Sequence, residues 1–139
     1  MKQLHTFIHR LHNPDVGMLL IRIALGVVFI HAGWLKVADI NATVTAFGSM
    51  GFNAFLAYFV SYAELLGGVA FLLGIFVRYV GIVIAVIMLV ATKLLFANGF
   101  GLMNGGYEYP FILMLISIAV VTLGSGKYSL ACMLKKKKK

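Results

Sequence analysis

The residue with the clearest potential for chemistry is Glu64, a carboxylate inside an apolar run that is long enough to cross a bilayer. Placing an ionisable side chain in the middle of a membrane helix costs about 2 to 4 kcal/mol on insertion scales, so such a residue normally faces the interior of a helix bundle and has a partner. Glu64 therefore calls for a partner, and the neighbouring apolar runs determine which residues can reach it.

Two other ionisable residues, His31 and Lys93, also lie deep in apolar runs. His31 is 14 residues from residue 17, Glu64 is 13 from residue 77, and Lys93 is 14 from residue 79, each counted from a predicted span end on the same side. At 1.5 Å per residue, all three reach one level about 20 Å from that side. We therefore predict Lys93 as the ion-pair partner of Glu64, with His31 as a hydrogen-bonding or proton-accepting neighbour.

Glu108, at the start of the last apolar run, completes the predicted ligand or proton site. Together with Lys36, Asn98 and Asn104 it is expected to rim an opening above the plane of the three buried groups. A carboxylate, an ammonium and an imidazole in a low-dielectric cleft suit proton-coupled chemistry, or hydrogen bonds to the carbonyl oxygens of a quinone. The alternative is a structural network that only fixes the register of the helices.

The elements that must position these residues are membrane helices. Hydrophobic residues make up 62% of the 139-residue chain, charged residues make up 12%, and the mean hydropathy is +1.00, values that a soluble domain of this length does not reach. Apolar runs occupy residues 17–35, 54–77, 79–97 and 107–123. They predict an all-α integral membrane four-helix bundle forming a single domain over residues 1–139, with a polar loop at residues 39–52.

The N-terminal segment, residues 1–15, has apolar residues at helical spacing beside basic ones, which predicts a short amphipathic helix in the membrane interface. His5, His9 and His12 share one face of that helix. A metal site is not predicted there, because no carboxylate or cysteine ligand lies nearby to complete the set. The histidines are interpreted as a polar stripe facing the headgroups.

Basic residues predict the orientation. Lys2, Arg10, Arg78, Lys127 and the lysine tail fall on one side of the predicted spans, against Lys36 in the first loop, so both termini are expected in the cytoplasm. The net charge of +8 arises from these flanking residues and the tail, a pattern typical of topology signals and contact with anionic lipid and not of nucleic-acid binding. Arg22, near the same side, is predicted to snorkel to the headgroups.

Small residues predict how the helices meet. Two stripes stand out: Ala63, Gly67, Ala70 and Gly74 on the second span, and Gly26 with Gly33 on the first. Such residues let helix backbones approach closely where lipid removes the hydrophobic driving force. The single cysteine, Cys132, allows no thiol pair, and the chain has no haem-ligand pair or flavin motif, so no cofactor is predicted within it and electrons would come from a partner.

These features in order resemble the DoxX family of small bacterial membrane proteins, over about residues 20–130. The residues that carry the resemblance are Arg22 to Gly26, His31 to Lys36, Ala63 to Gly68 with Gly74 and Arg78, Gly106 to Glu108, and Gly124 to Leu130. Two positions depart from the pattern of the family. Lys93 lies near the position in the third span where the family often has a histidine, and Ala131 occupies a position where the family commonly has an aspartate.

The resemblance implies a protein of the bacterial cytoplasmic membrane that is linked to redox metabolism. Members of that family include the membrane subunit of a thiosulfate:quinone oxidoreductase, and a protein that assembles with a thiosulfate sulfurtransferase and a superoxide dismutase against oxidative stress. The expected function is thus a non-autonomous membrane subunit that binds quinone or anchors a soluble oxidoreductase. A small-solute carrier or channel and a structural or assembly protein remain alternatives, and an oligomer is compatible with each.

Overall fold

The computed structural model describes residues 12–138, and within them it is all helical with no strand, which confirms the predicted fold class. The helices are α1 (Pro14–Ala38), α2 (Ile40–Ser49), α3 (Ala54–Leu73), α4 (Val77–Leu95), α5 (Glu108–Leu123) and α6 (Leu130–Lys137), with short 3-10 turns at Phe96–Asn98 and Leu102–Asn104. The predicted amphipathic helix falls almost entirely on residues 1–11, which lie outside the described part of the chain, so it stays a prediction.

Three of these helices, α1, α3 and α4, are long and apolar enough to cross a membrane. The fourth apolar helix, α5, has 16 residues and rises about 24 Å, somewhat less than a hydrocarbon core of about 30 Å. The predicted boundary between the second and third spans shifts by several residues, because α3 ends at Leu73 and the left-handed Gly74 (φ 74°) closes it. A left-handed glycine is the usual way to stop a helix and reverse the chain.

Residues 39–52 are not a loop as predicted, because most of them form α2. The Asp39 side chain accepts a hydrogen bond from the backbone of Ala42 and so caps the helix. The Thr43 hydroxyl donates to the carbonyl of Asp39 and to that of Lys36 in α1, and the Thr45 hydroxyl donates to the carbonyl of Asn41, so these polar side chains do not oppose the helix. The polar composition of this segment is unfavourable for crossing a membrane, but it does not prevent helix formation, so the segment forms a helix that is not a span.

The apolar helices form a ring in which α1 packs closely against α3 and α4 packs closely against α5. Contacts between α3 and α4, and between α1 and α5, are sparser. Consequently α1 and α4 occupy opposite corners of the ring. We call the end that holds the start of α1, the α3–α4 turn and the α5–α6 link the terminal end, and the end that holds α2 and residues 96–107 the loop end.

Glycines set the distance between α1 and α3. A Cβ atom on Gly33 would lie 2.4 Å from the backbone nitrogen of Leu65, and one on Gly68 would lie 2.6 Å from that of Ile30. A Cβ on Gly26 would lie 3.0 Å from the carbonyl oxygen of Gly68. No side chain fits at these distances, so the predicted role of Gly26 and Gly33 in close helix packing is confirmed.

On α3, the glycine that meets α1 is Gly68, which lies outside the predicted stripe. Gly67 faces α4, where an added Cβ would lie 3.2 Å from Val80 and 3.4 Å from Ile84. Gly74 terminates α3 and packs tightly against Arg22, since an added Cβ would lie 2.4 Å from its Nη2. The stripe was inferred from spacing alone, and two adjacent glycines on a helix point about 100° apart, so one serves α1 and the other serves α4.

Arg22 does not snorkel to the headgroups as predicted, because it is 1% exposed. Its Nε donates to the carbonyl of Phe71 (2.9 Å) and its Nη2 donates to that of Leu72 (3.0 Å), the last carbonyls of α3. Its Nη1 donates to the carbonyls of Ser125 and Tyr128, both at 2.8 Å. Helix C-termini favour cations, and these four bonds clamp α1, α3 and the α5–α6 link together.

Candidate functional site

Glu64 forms an ion pair with Lys36, whose Nζ donates to Glu64 Oε2. The Glu64 side chain is 3% exposed and the Lys36 side chain is 30% exposed. The contact between Gly33 and Leu65 fixes this pairing, because Lys36 lies three residues beyond Gly33 on α1 and Glu64 directly precedes Leu65 on α3. The buried carboxylate therefore obtains its partner from the neighbouring helix through the glycine-lined α1–α3 interface.

The ion pair faces a cavity of about 420 Å³ between the α1–α3 pair and the α4–α5 pair. Its walls are almost wholly apolar, and Lys36 and Glu64 are the charged residues that line it, accompanied by the phenol of Tyr109. The apolar residues are Val28, Phe29, Ala32, Phe47, Met50, Phe52, Leu56, Phe59, Val60, Val86, Ile87, Met88, Val90, Ala91, Leu94, Leu95, Pro110 and Leu113. Its volume and its few convergent polar groups are typical of sites for small organic ligands.

Lys93 and His31 do not meet Glu64, so the predicted ion pair is wrong in its partner. Both residues are exposed on the outside of the bundle. The depth count could place them at the level of Glu64, but depth along a helix says nothing about the direction in which a side chain points. Because α1 and α4 occupy opposite corners of the ring, outward-facing side chains on these helices point to opposite sides.

The periodicity of α1 contains the signal that identifies Lys36. Its buried face runs through Met18, Arg22, Leu25, Gly26, Phe29 and Gly33. Lys36 follows Gly33 by three residues and continues that face, whereas His31 falls between Phe29 and Gly33 and turns away from it. On α4 the buried face includes Thr92, and Lys93 lies about 100° further round. A helical-wheel comparison would have favoured Lys36 over both predicted partners.

Glu108 lies at the loop end as predicted, but it does not line the cavity. Its Oε2 accepts a hydrogen bond from the backbone nitrogen of Leu102 (3.1 Å), and its own backbone nitrogen donates to Phe100 (2.9 Å). The amide of Asn98 donates to the carbonyl of Gly105 (3.1 Å) within the same connection. Glu108 thus orders residues 96–107 and holds the start of α5, on which Tyr109 reaches the cavity.

The predicted histidine stripe is described only at its last member, His12, since His5 and His9 lie outside the described residues. Among residues 12–138 no group of three or more His, Cys, Asp and Glu side chains is placed to hold a metal ion. The buried charged residues of the described part of the chain are Glu64, paired with Lys36 at the cavity, and Arg22 at the terminal end.

The fold and the site define the class of this protein: it is a helical membrane protein in which an ion pair lines an apolar cavity. The DoxX family model matches residues 17–99, and the chain belongs to that family. It is 33% identical over 113 residues to a Bacillus subtilis protein named "Putative oxidoreductase CatD", covering 80% of this chain and 81% of that protein. It is 31% identical over 131 residues to the Escherichia coli "Inner membrane protein YqjF", covering 88% and 95%.

No solved structure matches this chain. The family match and the two relatives confirm the resemblance inferred from the sequence at the level of the family. The residues that carried that resemblance include Glu64 and Lys36, and the structure shows that these two are the residues that pair.

Proposed function

We propose that this protein is a membrane subunit linked to redox metabolism, which binds a quinone in the cavity beside Lys36 and Glu64 and receives electrons from a soluble oxidoreductase partner. The observation that carries the proposal is the ion pair of Lys36 with the buried Glu64, which faces an otherwise apolar cavity of about 420 Å³. A quinone has the matching chemistry, an apolar ring and tail with carbonyl oxygens that accept hydrogen bonds.

Each of the two charged groups has a distinct use in such a site. The Nζ of Lys36 carries three N–H donors, and one that is not engaged by Glu64 can donate to a ring carbonyl. Glu64 is an acidic group at the same place, able to give or accept a proton when the carbonyl oxygen changes its protonation on reduction. The Tyr109 hydroxyl is a further donor on the cavity wall.

The apolar lining favours this function over a carrier or channel for a polar solute. A polar solute entering the cavity would lose its hydration and meet few groups that replace it. The relative named as an inner membrane protein supports placing this chain in the bacterial cytoplasmic membrane. With both termini in the cytoplasm, as the basic residues favour, the terminal end would face a cytoplasmic partner and the loop end would face outward.

A binding titration tests the proposal. The purified protein in lipid nanodiscs is titrated with a ubiquinone or menaquinone analogue, and we expect saturable binding that is weakened by Lys36→Met and by Glu64→Gln. Lys93→Gln and His31→Gln serve as controls, because they remove ionisable groups of similar depth on side chains exposed on the outside of the bundle. Absence of binding, or equal losses in all four variants, would refute the proposal.

A further inference from the structure

On the side of the cavity formed by α3 and α4, some of the lining side chains are exposed. These helices are joined by a tight turn and touch near the terminal end, where Gly67 approaches Val80 and Ile84. The two helices contact each other less than α1 contacts α3 or α4 contacts α5, and side chains of both line the cavity. Two helices that leave a common turn and touch near it can diverge toward the opposite end, and the cavity occupies that loop-end half.

Exposure identifies the lining side chains that border the outer surface on this side. Met88 and Leu113 line the cavity and are each 7% exposed, so lining the cavity gives a side chain little accessible area by itself. Six lining residues are instead 40% to 54% exposed: Phe59 on α3, Val86, Val90 and Leu94 on α4, Tyr109 on α5 and Met50 after α2. Of these, Phe59, Val86 and Val90 lie at least five residues from the loop end of their helices. These three therefore border both the cavity and the outer surface of the bundle.

The depth of these three side chains determines what reaches them. Val86 lies nine residues from each end of α4, which is about 13 Å of helix on either side. That is the middle of a helix apolar and long enough to cross a membrane, where the surroundings are lipid acyl chains and not water. Apolar flanking residues at this depth favour entry of apolar molecules and oppose entry of ions.

We propose that the cavity is loaded sideways from the bilayer through an opening between Phe59 on α3 and Val86 and Val90 on α4, so that its ligand is a lipid-soluble molecule. The inference shares with the proposed function only the premise that the cavity binds a ligand, and it holds for any lipid-soluble ligand, quinone or not. A lipid chain is the simplest molecule that would use the opening.

Photolabelling tests the route with the intact protein. Vesicles containing the protein and a phosphatidylcholine with a diazirine in its acyl chain are irradiated, and labelled residues are mapped by mass spectrometry. We expect label on Met88 and Leu113, the buried lining residues, as well as on the outer surface. Val90→Trp is expected to lower labelling of Met88 and Leu113 several-fold, because the larger ring narrows the opening.

Val83→Trp is the matched control, since Val83 lies on the same helix, is 38% exposed against 40% for Val90, and does not line the cavity. Label confined to outward residues would overturn the proposal, as would labelling of Met88 and Leu113 by a water-soluble, membrane-impermeant carbene probe instead. Equal effects of the two tryptophan variants would also overturn it. Labelled lining residues without quinone binding would remove the proposed function and leave lateral entry standing.

Discussion

Replacing Arg22 should destabilise this protein more than replacing any exposed basic residue. Arg22→Leu fills the buried position with an apolar side chain but removes four hydrogen bonds of 2.8 to 3.0 Å. A hydrogen bond to a charged group contributes about 1.5 to 3 kcal/mol to the free energy of unfolding. Three of the four bonds are only partly buried, so water can hydrogen-bond to some of the carbonyls that lose Arg22. We therefore expect the free energy of unfolding to fall by about 3 to 5 kcal/mol.

The loss is measured as the change in the free energy of unfolding of the purified protein, with the helical circular dichroism signal followed during titration of mixed micelles with a denaturing detergent. Arg22→Lys should fall between the wild type and Arg22→Leu, because one ammonium cannot reach both the end of α3 and the α5–α6 link. Arg78→Leu is the control, since Arg78 is exposed at the same end and should change the free energy by about 0.5 kcal/mol or less.

A local readout separates the clamp from a general loss of stability. If Arg22 holds the α5–α6 link, proteolysis between Gly124 and Tyr128 should become faster in Arg22→Leu than in a variant that is equally destabilised elsewhere, such as one at the α1–α3 interface. A loss of less than about 1 kcal/mol in Arg22→Leu, below any sum of four charge-assisted hydrogen bonds, would show that Arg22 does not clamp the three segments. An equal loss in Arg78→Leu would show the same.

Two further stability predictions concern the α1–α3 interface. Lys36→Met and Glu64→Gln should each lower the free energy of unfolding. The double variant should lose less than the sum of the two single losses, with a coupling energy of about 0.5 to 3 kcal/mol in a double-mutant cycle. Additive losses would show that the two side chains do not interact. Gly33→Ala should lower the free energy of unfolding by about 1 to 3 kcal/mol, because the added Cβ would lie 2.4 Å from the backbone nitrogen of Leu65. Gly17→Ala on the same helix is the control. Its added Cβ meets nothing within 4 Å, so it should be neutral or slightly stabilising in the same titration.

The apolar spans and the helical class could be predicted from hydropathy, because the cost of leaving backbone polar groups unpaired in lipid permits few structures besides helices. The need of Glu64 for a partner followed from the same cost. The helical conformation of α2 was missed because polar composition was interpreted as a loop, although its capping residue Asp39 and its back-bonding threonines are local signals.

The partner of Glu64 could be narrowed but was not identified from the sequence. The prediction used the depth of each residue along its helix and not the direction in which its side chain points. It therefore favoured Lys93 and His31 over Lys36, which continues the buried face of α1. The role of Arg22 had no comparable signal. Its acceptors are backbone carbonyls of residues 49 to 106 positions away, and every residue type has such a carbonyl.

The sequence by itself determined that this chain is a helical membrane protein of the DoxX family and that Glu64 is buried among apolar residues, since these follow from composition, periodicity and ordered motifs along one chain. The tertiary structure alone decided that Lys36 is its partner, that Arg22 ties three segments together, and that the pair faces an apolar cavity. The physical reason is that contacts between helices depend on how each helix is rotated and how closely it approaches its neighbours. Here that approach is set by Gly26, Gly33 and Gly68, whose effect appears only when two helices are brought together.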